Sequence, residues 1–467
     1  MSTSPGLKPI GTLRAPAVPR HHGAEPRGLM SVRHDCYQPA GRTDRFGRMF
    51  PNLPARPAAA APTPAELGVA GGPMDGGAAE TPLGKVGAGF TFLGQFLDHD
   101  ITLDTTSSLD RQNDPEALRN FRTPSFELDS VYGMGPDASP YLYAAKKPGH
   151  LLLDQNHEFD LPRNSEGVAL IGDPRNDENL IIAQLHLGFL KFHNALMAQT
   201  GHFHEAQQLV RWHYQWIIVE EFLPLICGEA MVKDVFKNGR RFYHPWNRSP
   251  YIPVEFSVAA YRFGHSMARF NYKMNAATAE LPLFDAQAPP SPPENRADLR
   301  GGPIVEQHAA EWPLFFDLNQ SEQKSNRIDS KLAGGLFDLP FIPEPEPERR
   351  SLAFRNLLRS EVLGLPSGQA VSSYMSVEPL ADDKLWDNPA WHGQPAPLWY
   401  YILREAEVQN SGKHLGAVGG RVVAEVFHGL LTCDPSSYVS VNPIWKPTLG
   451  SNGKFGITDL LKIAGVA

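Results

Sequence analysis

The sequence predicts a mainly α-helical fold in a single domain, with few short strands. The strong hydrophobic periodicities along the chain are helical, whereas alternating strand patterns are scarce and short, as at Arg241 to Tyr243. A content of 42% hydrophobic and 20% charged residues is typical of a soluble globular protein. No run of about 18 apolar residues occurs, so no transmembrane segment is predicted.

Four segments predict the main helices. Phe90 to His99 and Leu180 to Met197 each carry apolar residues along one face, the second through about five turns. Glu205 to Leu223 is rich in aromatic residues and is expected to end at Pro224, because proline does not continue a helix. Gly420 to Leu431 is the fourth amphipathic segment.

The N-terminal part of the chain is expected to lie outside the helical body. Residues 1–25 are predicted to form a mobile tail, residues 26–85 an irregular arm that packs on the body, and residues 86–467 the body itself. Within the arm, Pro54 to Gly77 is dominated by Ala, Pro and Gly, which leave no helix face and no strand alternation. Because the N-terminus lacks an apolar core, we predict no signal peptide, and a cytoplasmic protein or one exported by a non-classical route.

Charge and cysteine content exclude several functions. The 43 Lys and Arg residues against 51 Asp and Glu give a net charge of −8, which argues against nucleic-acid binding. The three cysteines, Cys36, Cys227 and Cys433, are too few and too scattered for a disulfide framework or a CxxC zinc site. An enzyme or a binding protein remains.

The segment GQFLDHDIT offers the first candidate chemistry. If Phe90 to Asp100 is helical, Gln95, Asp98 and His99 lie at i, i+3 and i+4 and share one face. An imidazole beside an amide and a carboxylate is a candidate acid–base site, because histidine titrates near neutral pH. The alternative is a solvated helix end with one satisfied histidine.

The segment RTPSFELDSVYG offers hard oxygen ligands. Thr123, Ser125, Glu127 and Asp129 stand at every second position, so an extended chain would point them the same way. Calcium takes roughly six to eight such oxygens, although this loop lacks an EF-hand pattern. The alternative is a polar turn before a hydrophobic pair.

The segment IGDPRNDENL comes directly before the long helix. Asn176 or Asp177 is expected to cap that helix, and Glu178 suits its first turn, which explains these polar residues without a functional role. This explanation leaves out Arg175, which stands where a helix N-terminus would meet a ligand.

Two further segments carry candidate site residues. His265 in AYRFGHSMARF is a candidate ligand of a metal or a haem, and the alternative is a satisfied core histidine. Asn356 and Arg359 in LAFRNLLRSEV stand at i and i+3 on a predicted helix, where the alternative is solvated surface.

Together and in this order, the five segments resemble the animal-type haem peroxidases, the myeloperoxidase-like members of the peroxidase–cyclooxygenase superfamily. The resemblance runs from about residue 45 to about residue 366. It implies a single-domain, myeloperoxidase-like helical fold with a catalytic domain at 86–467, and haem b and calcium as cofactors. The lack of a signal peptide and of a cysteine-rich set is similar to microbial members of the family.

The resemblance implies a role for each residue around the haem iron. His99 matches the distal histidine that takes a proton from hydrogen peroxide, and Gln95 the glutamine that holds water or halide above the iron. Arg175 matches the arginine that polarises the O–O bond. His265 matches the proximal iron ligand, and Asn356 the asparagine that accepts a hydrogen bond from its ring.

Contacts to the haem edge follow from the same resemblance. Arg262 and Arg359 match partners of the haem propionates. Asp98 and Glu178 stand where mammalian relatives form ester bonds to haem, so one or two esters are expected. Asn179 replaces the methionine of a sulfonium link, so no such link is expected.

The implied calcium site joins the first helix to the acidic loop. Asp100 matches one ligand, and Thr123, Ser125 (by its backbone carbonyl), Glu127 and Asp129 would complete the site. The family more often has aspartate where Glu127 stands.

The implied activity is that of a haem peroxidase, which reduces hydrogen peroxide through a ferryl intermediate and oxidises a halide, thiocyanate or small phenolic donor. The alternative is a fatty-acid dioxygenase or hydroperoxide isomerase of the same superfamily. Cyclooxygenases and related fatty-acid dioxygenases carry a radical-forming tyrosine where this chain has Arg262, with Tyr261 one residue away, which favours the peroxidase. A third possibility is a catalytically silent member that binds only haem or protein partners.

Overall fold

The structure is a computed structural model that describes residues 46–77, 83–103, 120, 122–245, 249–288 and 292–467. The predicted tail at residues 1–25 and Cys36 lie outside the described residues. The limits of the predicted arm and catalytic domain stay predictions.

Helices dominate the described residues. Those with ten or more residues are α1 (Gly89–Ile101), α2 (Leu180–Thr200), α3 (Phe203–Ile217), α4 (Glu229–Asn238), α5 (Leu352–Val362), α6 (Leu398–Asn410) and α7 (Ala417–Cys433). Shorter α-helices span Pro64–Gly68, Asp129–Tyr132, Leu223–Cys227, Val254–Ser257, Gly264–Met267, Pro347–Arg350, Gly368–Tyr374, Asp382–Leu385, Tyr438–Val441 and Ile457–Ile463. None of the helices in these ranges is both long and apolar enough to cross a membrane.

Strands are few and short in the same ranges. They form three two-stranded pairs: β1 (Phe46–Gly47) parallel to β3 (Ile252–Pro253), β2 (Leu83–Gly87) antiparallel to β6 (Lys324–Asn326), and β4 (Asn271–Tyr272) antiparallel to β5 (Leu281–Pro282). Helix packing rather than a sheet therefore builds the core.

A cluster of three aromatic rings lies in the core where α1, α2 and α3 meet. Phe96 on α1 stacks on Phe189 on α2 with ring centroids 4.5 Å apart, and Tyr214 on α3 meets both rings edge-on. All three side chains are completely buried. Aromatic pairs of this kind contribute about 0.5–1.5 kcal/mol each beyond their buried area, so α1 is held firmly against its neighbours.

The predicted end of the aromatic helix at Pro224 is wrong. A π-helical turn, Ile218–Phe222, follows α3, and the chain continues as a helix to Cys227. Pro224, which has no N–H to donate, lies just beyond this turn, and there the hydrogen-bond pattern already departs from that of a regular α-helix.

The segment Arg241 to Tyr243, read as a strand pattern, is not a strand. Its three backbone N–H groups donate to the buried carboxylate of Glu425 on α7, at 2.9, 2.8 and 3.0 Å. A carboxylate from a distant helix thus takes the place of a partner strand.

The arm also holds a helix that its composition did not predict. In Pro64–Gly68 the Thr63 hydroxyl accepts from the Glu66 N–H while the Glu66 carboxylate accepts from the Thr63 N–H, which is a capping box. Pro64 occupies the first helical position, where its fixed φ suits the helix. The capping box defines the start of this helix, and the completely buried Leu67 packs it against the core.

Residues 48–50 make hydrogen bonds to distant parts of the chain. The Arg48 guanidinium donates to the carbonyl groups of Leu363 and Gly364, just beyond α5. The backbone N–H groups of residues 49 and 50 donate to the buried carboxylate of Glu255. These contacts join the arm to the end of α5, which carries Asn356, and to the short helix Val254–Ser257.

Candidate active site

A cavity of about 380 Å³ opens between α1 and the segment that carries His265. Both His99 and His265 line it, together with Gln95 and Glu178. A smaller cavity of about 210 Å³ lies beside it. The two cavities share five lining residues: Asp98, Arg175, Arg262, Leu352 and Arg355.

The predicted shared face of α1 is present in the structure. Gln95, Asp98 and His99 all line the larger cavity, as their spacing along the helix requires. The solvated helix end that was the alternative does not occur here, because His99 is only 5% exposed.

The His99 ring is held from behind by an amide. Its Nδ1 lies 2.8 Å from Oδ1 of Asn176, and Nδ2 of Asn176 lies 2.9 Å from Nδ1 of His186. Burial lowers the pKa of His99 to about 3, and the nearby positive charge of Arg175 acts in the same direction. The imidazole is therefore neutral at physiological pH, so one ring nitrogen is able to accept a proton.

Arg175 reaches the cavity from a short 3₁₀ turn, Pro174–Asp177. The fully buried carboxylate of Asp173 accepts hydrogen bonds from the Arg175 Nε and Nη2 atoms at 3.1 and 2.8 Å. Although burial opposes ionisation, the guanidinium groups of Arg122 and Arg175 hold the pKa of Asp173 well below its usual range. Arg175 is thus fixed by an ionised carboxylate beneath it.

Arg122 extends this network away from the cavity. Its buried guanidinium donates to Asp173 through Nε at 3.1 Å and to Asp129 through Nη1 at 3.1 Å. Neither Asp173 nor Arg122 was singled out from the sequence, because a single Asp or Arg in a polar loop gives no signal of its distant partners.

On the opposite side of the cavity, His265 and Asn356 meet as predicted, but with the amide turned. Nδ2 of Asn356 lies 2.8 Å from Nδ1 of His265, while its Oδ1 lies 3.4 Å from Nη1 of Arg262. The sequence prediction had the asparagine accept a hydrogen bond from the ring, which requires a half-turn of this amide. The Arg262 donor accounts for the orientation observed, because it attracts the amide oxygen.

The smaller cavity is strongly cationic. Arg175, Arg262, Arg355 and Arg359 all line it, whereas the larger cavity continues between apolar side chains such as Met267, Leu283 and Leu336. Arg262 and Arg359 were predicted here, but Arg355 was missed. Its spacing of four residues from Arg359 on α5 was the signal available, because residues at i and i+4 share one face of a helix.

The two carboxyl groups predicted to meet the haem face the larger cavity. Burial raises the pKa of Glu178 to about 7 and also raises the pKa of Asp98. The Gln95 amide donates to Glu178 at 3.3 Å and accepts from Asn179 at 3.3 Å. Thr102 donates its hydroxyl to Asp98 at 3.1 Å.

The predicted helix cap at Asn176 or Asp177 is wrong. Asn179 caps α2, because its side-chain oxygen accepts from the N–H groups of Ile181 and Ile182. The amide of Asn176 is instead shared between two histidines. Several polar residues precede this helix, and sequence spacing alone does not decide which of them turns back to it.

The acidic loop meets the end of α1, as the predicted calcium site requires. The Leu128 N–H donates to Oδ2 of Asp100 at 3.1 Å, while Oδ1 of Asp100 is buried without a hydrogen-bond partner among the described residues. Burial raises the pKa of Asp100 well above its usual range, and the negative charges of Asp129 and Glu127 add to this effect. Thr123 and Ser125 are buried nearby in the loop.

These ligands do not form a closed metal cluster. Asp129 is bound to Arg122, and the Ser125 hydroxyl donates to Asp434 at 2.9 Å. Within the described ranges no group of three or more His, Cys, Asp or Glu side chains is arranged to hold a metal ion. The orphaned, buried oxygen of Asp100 nevertheless fits a cation, because a buried carboxylate needs a positive partner.

A haem group also fits the residues present. His265 offers an imidazole ligand, the apolar walls of the larger cavity suit a porphyrin, and the arginine-lined cavity suits its two carboxylates. No other pair of histidines lines either of the two cavities.

Comparisons with known proteins identify the family of the chain. Residues 105–380 match the family model of the animal haem peroxidases, and the chain belongs to that family. The matched range includes Arg175, His265, Asn356 and the acidic loop, and it begins after His99.

Eosinophil peroxidase of Mus musculus is a similar protein. It is 29% identical over 216 residues, which are 43% of this chain and 28% of that protein. The chain thus spans less than a third of the length of the curated relatives it matches first.

Two solved structures have a similar fold. Peroxidase A from Dictyostelium discoideum gives a TM-score of 0.60 at 15% identity, over 84% of this chain and 88% of that chain. A fatty acid alpha-dioxygenase from Arabidopsis thaliana gives 0.56 at 15% identity, over 90% and 76%. Together with the helical content of the described residues, they confirm the predicted fold class.

Proposed function

We propose that the protein is a haem peroxidase that reduces hydrogen peroxide and oxidises a halide, thiocyanate or small phenolic donor. The observation that supports this best is that a neutral histidine, an arginine and a second histidine line one cavity: His99, Arg175 and His265. The family membership agrees with it.

The proposed chemistry divides the work between cofactor and chain. Bound haem would supply the two electrons that cleave the peroxide O–O bond. One halide or thiocyanate ion, which gives two electrons, or two phenolic molecules, which give one electron each, would then restore them. His265 would hold the iron through Nε2, with Asn356 turned so that its oxygen accepts the Nδ1 proton. The four arginines of the smaller cavity would bind the haem carboxylates.

On the peroxide side, His99 would move one proton. Its unprotonated ring nitrogen accepts the proton of the near peroxide oxygen and then donates it to the far oxygen, which already carries one hydrogen and leaves as water. The Arg175 guanidinium stabilises the negative charge that develops on the departing oxygen. Gln95 would hold a water molecule or a halide in the same cavity.

Calcium and covalent attachment of the haem are part of the proposal. Calcium would bind Asp100 and the loop oxygens of Thr123, Ser125, Glu127 and Asp129, and would compensate the buried carboxylates. Ester bonds would form through Asp98, Glu178 or both, since both carboxyl groups line the larger cavity. Haem that stays with the chain in denaturing chromatography would reveal such bonds.

The test is the visible absorption spectrum of the haem-loaded chain before and after one equivalent of hydrogen peroxide. We expect a Soret band that shifts within seconds in the wild type and in His213→Ala, which removes a buried histidine remote from the cavity lining. In His99→Ala we expect the band but not the fast shift. A wild-type chain that takes up no haem, or whose band ignores peroxide, would contradict the proposal.

A second candidate is a fatty-acid dioxygenase. Tyr261 lines the larger cavity, and its hydroxyl donates to the backbone carbonyl of Gly94 on α1 at 3.2 Å, so a redox-active phenol stands at the site. Linoleate and oxygen, without added peroxide, distinguish the two functions. An oxygenated product that disappears in Tyr261→Phe would favour the dioxygenase.

A further inference from the structure

Three buried polar side chains lie in series behind the cavity. The ring of His99, the amide of Asn176 and the ring of His186 are linked by contacts of 2.8 and 2.9 Å. Asn176 and His186 are completely buried. Nε2 of His186 has no hydrogen-bond partner among the described residues, so this chain of contacts ends there.

The amide gives this series a direction. A primary amide offers an acceptor on one side and donors on the other. Because Oδ1 of Asn176 faces His99, the Nδ1 atom of His99 must carry the proton. Its Nε2 is then left without one. Nδ1 of His186 correspondingly accepts from the amide nitrogen.

Burial keeps both rings neutral. Because His99 is 5% exposed and His186 is completely buried, each ring is more stable without a charge and carries one proton. The amide between the two rings therefore decides which nitrogen of each ring carries that proton.

The Asn176 side chain has no competing structural task among the described residues. The cap of α2 is provided by Asn179, and both polar atoms of the Asn176 amide are used by the two histidines. Its position directly after Arg175 places the backbone of both residues in one turn.

We propose that Asn176, oriented by His186, is a positioning residue that fixes the proton of His99 on Nδ1 and leaves Nε2 as the acceptor in the cavity. Its consequence for catalysis rests on the proposed peroxidase function. The tautomer itself does not, because it is set by contacts within the chain.

The first test therefore uses the full chain without added haem. In ¹⁵N spectra of protein labelled at histidine, with His99 identified by its loss in His99→Gln, we expect the His99 proton on Nδ1. In Asn176→Leu we expect it to move to Nε2, the commoner site in free imidazole. In Asn176→Asp it should stay on Nδ1, because the carboxylate still accepts it. The inference would be overturned if the His99 proton of the wild type were on Nε2, or if the His99 tautomer of Asn176→Leu were the same as in the wild type.

The second test measures the rate of the Soret shift with peroxide in the haem-loaded variants. We expect Asn176→Leu to be slower on the order of 10–100-fold, the usual effect of removing a partner behind a site residue. Asn176→Asp should recover most of this rate. A packing role alone predicts the opposite order, since leucine conserves volume whereas aspartate buries a charge.

Asn194→Leu is the matched control. Asn194 lies on α2 and bonds both backbone groups of Leu151, at 2.7 and 2.9 Å, outside the cavity lining. We expect it to lower the melting temperature and to leave the His99 tautomer and the peroxide rate unchanged. A wild-type chain that ignores peroxide but shows the expected tautomers would remove the peroxidase proposal and leave this inference intact. Equal peroxide rates in wild type and Asn176→Leu would overturn the catalytic part of the inference.

Discussion

The buried carboxylate of Asp173 allows a quantitative prediction. Asp173→Asn conserves the shape of the side chain but removes its charge. The carboxylate accepts from Arg175 at the backbone N, Nε and Nη2 and from Arg122 at Nε and Nη2. The amide of the substituted asparagine keeps one acceptor oxygen and turns its NH₂ group toward the guanidinium donors. The positive charges of Arg122 and Arg175 then lose the negative charge that compensates them.

Breaking a buried ion pair by removing one partner costs about 3–5 kcal/mol. Unfolding entropy of about 2.1 cal/mol/K per residue gives about 1 kcal/mol/K for a chain of 467 residues. We therefore expect the melting temperature to fall by about 3–5 °C. The fall in melting temperature caused by Asp173→Asn should be the same at every pH between about 6 and 8. Because the folded-state pKa of Asp173 is lowered, its contribution is complete above about pH 4 and is lost only as the pH falls further.

Differential scanning calorimetry of the haem-loaded chain measures this loss, with Asp177→Asn as the control. Asp177 lies at the end of the same 3₁₀ turn and pairs with Arg163, but its side chain is 15% exposed, so its removal should cost less than half as much. The Soret shift caused by peroxide should also become slower in Asp173→Asn, because the Arg175 guanidinium loses the charged hydrogen bonds that position it. A melting temperature within about 1 °C of wild type would refute the reasoning.

Three further predictions concern pH, haem affinity and calcium. Burial raises the pKa of Glu405 to about 7, so the folded chain holds a proton that the unfolded chain releases above about pH 4.5. Between about pH 4.5 and 7 the wild type should therefore lose on the order of 3 kcal/mol of stability relative to Glu405→Gln, and parallel melting curves across this range would contradict this. Arg355→Gln should weaken haem binding about 10–150-fold in a spectral titration, since a charge-assisted hydrogen bond contributes about 1.5–3 kcal/mol. Arg404→Gln changes an arginine on α6 that lines neither cavity, so it should leave haem affinity unchanged. Equal haem affinities in the wild type and Arg355→Gln would exclude a contact between Arg355 and haem. A calcium chelator should lower the melting temperature of the wild type but not of Asp100→Asn, and a wild type indifferent to the chelator would count against calcium.

The helices were predictable because burial imposes a period on the sequence. Phe96 and Phe189 belong to apolar stripes that any helix of this core must have, and the spacing of Gln95, Asp98 and His99 followed from the same geometry. Periodicity alone does not distinguish His265 from a histidine that is simply buried in the core. The family resemblance supplied its predicted role.

What the sequence did not reveal are contacts between distant polar groups. Asn176 was read as a helix cap because local spacing is the only geometry that a sequence contains, yet its partners are His99, 77 positions away, and His186. Arg122 was passed over because its partner Asp173 lies 51 positions further along the chain. Asn356 was placed beside the ring of His265, but its second contact, with the guanidinium of Arg262, was not foreseen, because it joins positions 94 residues apart.

The arm contacts have a consequence for the synthesis of the protein. Arg48 and Leu363 are separated by 315 positions, and Met49 and Glu255 by 206. At about 5–20 residues per second on the ribosome, residue 48 waits for roughly 15–60 s before the carbonyl group that it binds has been made. Residues that leave the ribosome among the first thus make contacts, such as that of Arg48, that form only after more than three quarters of the chain has been synthesised.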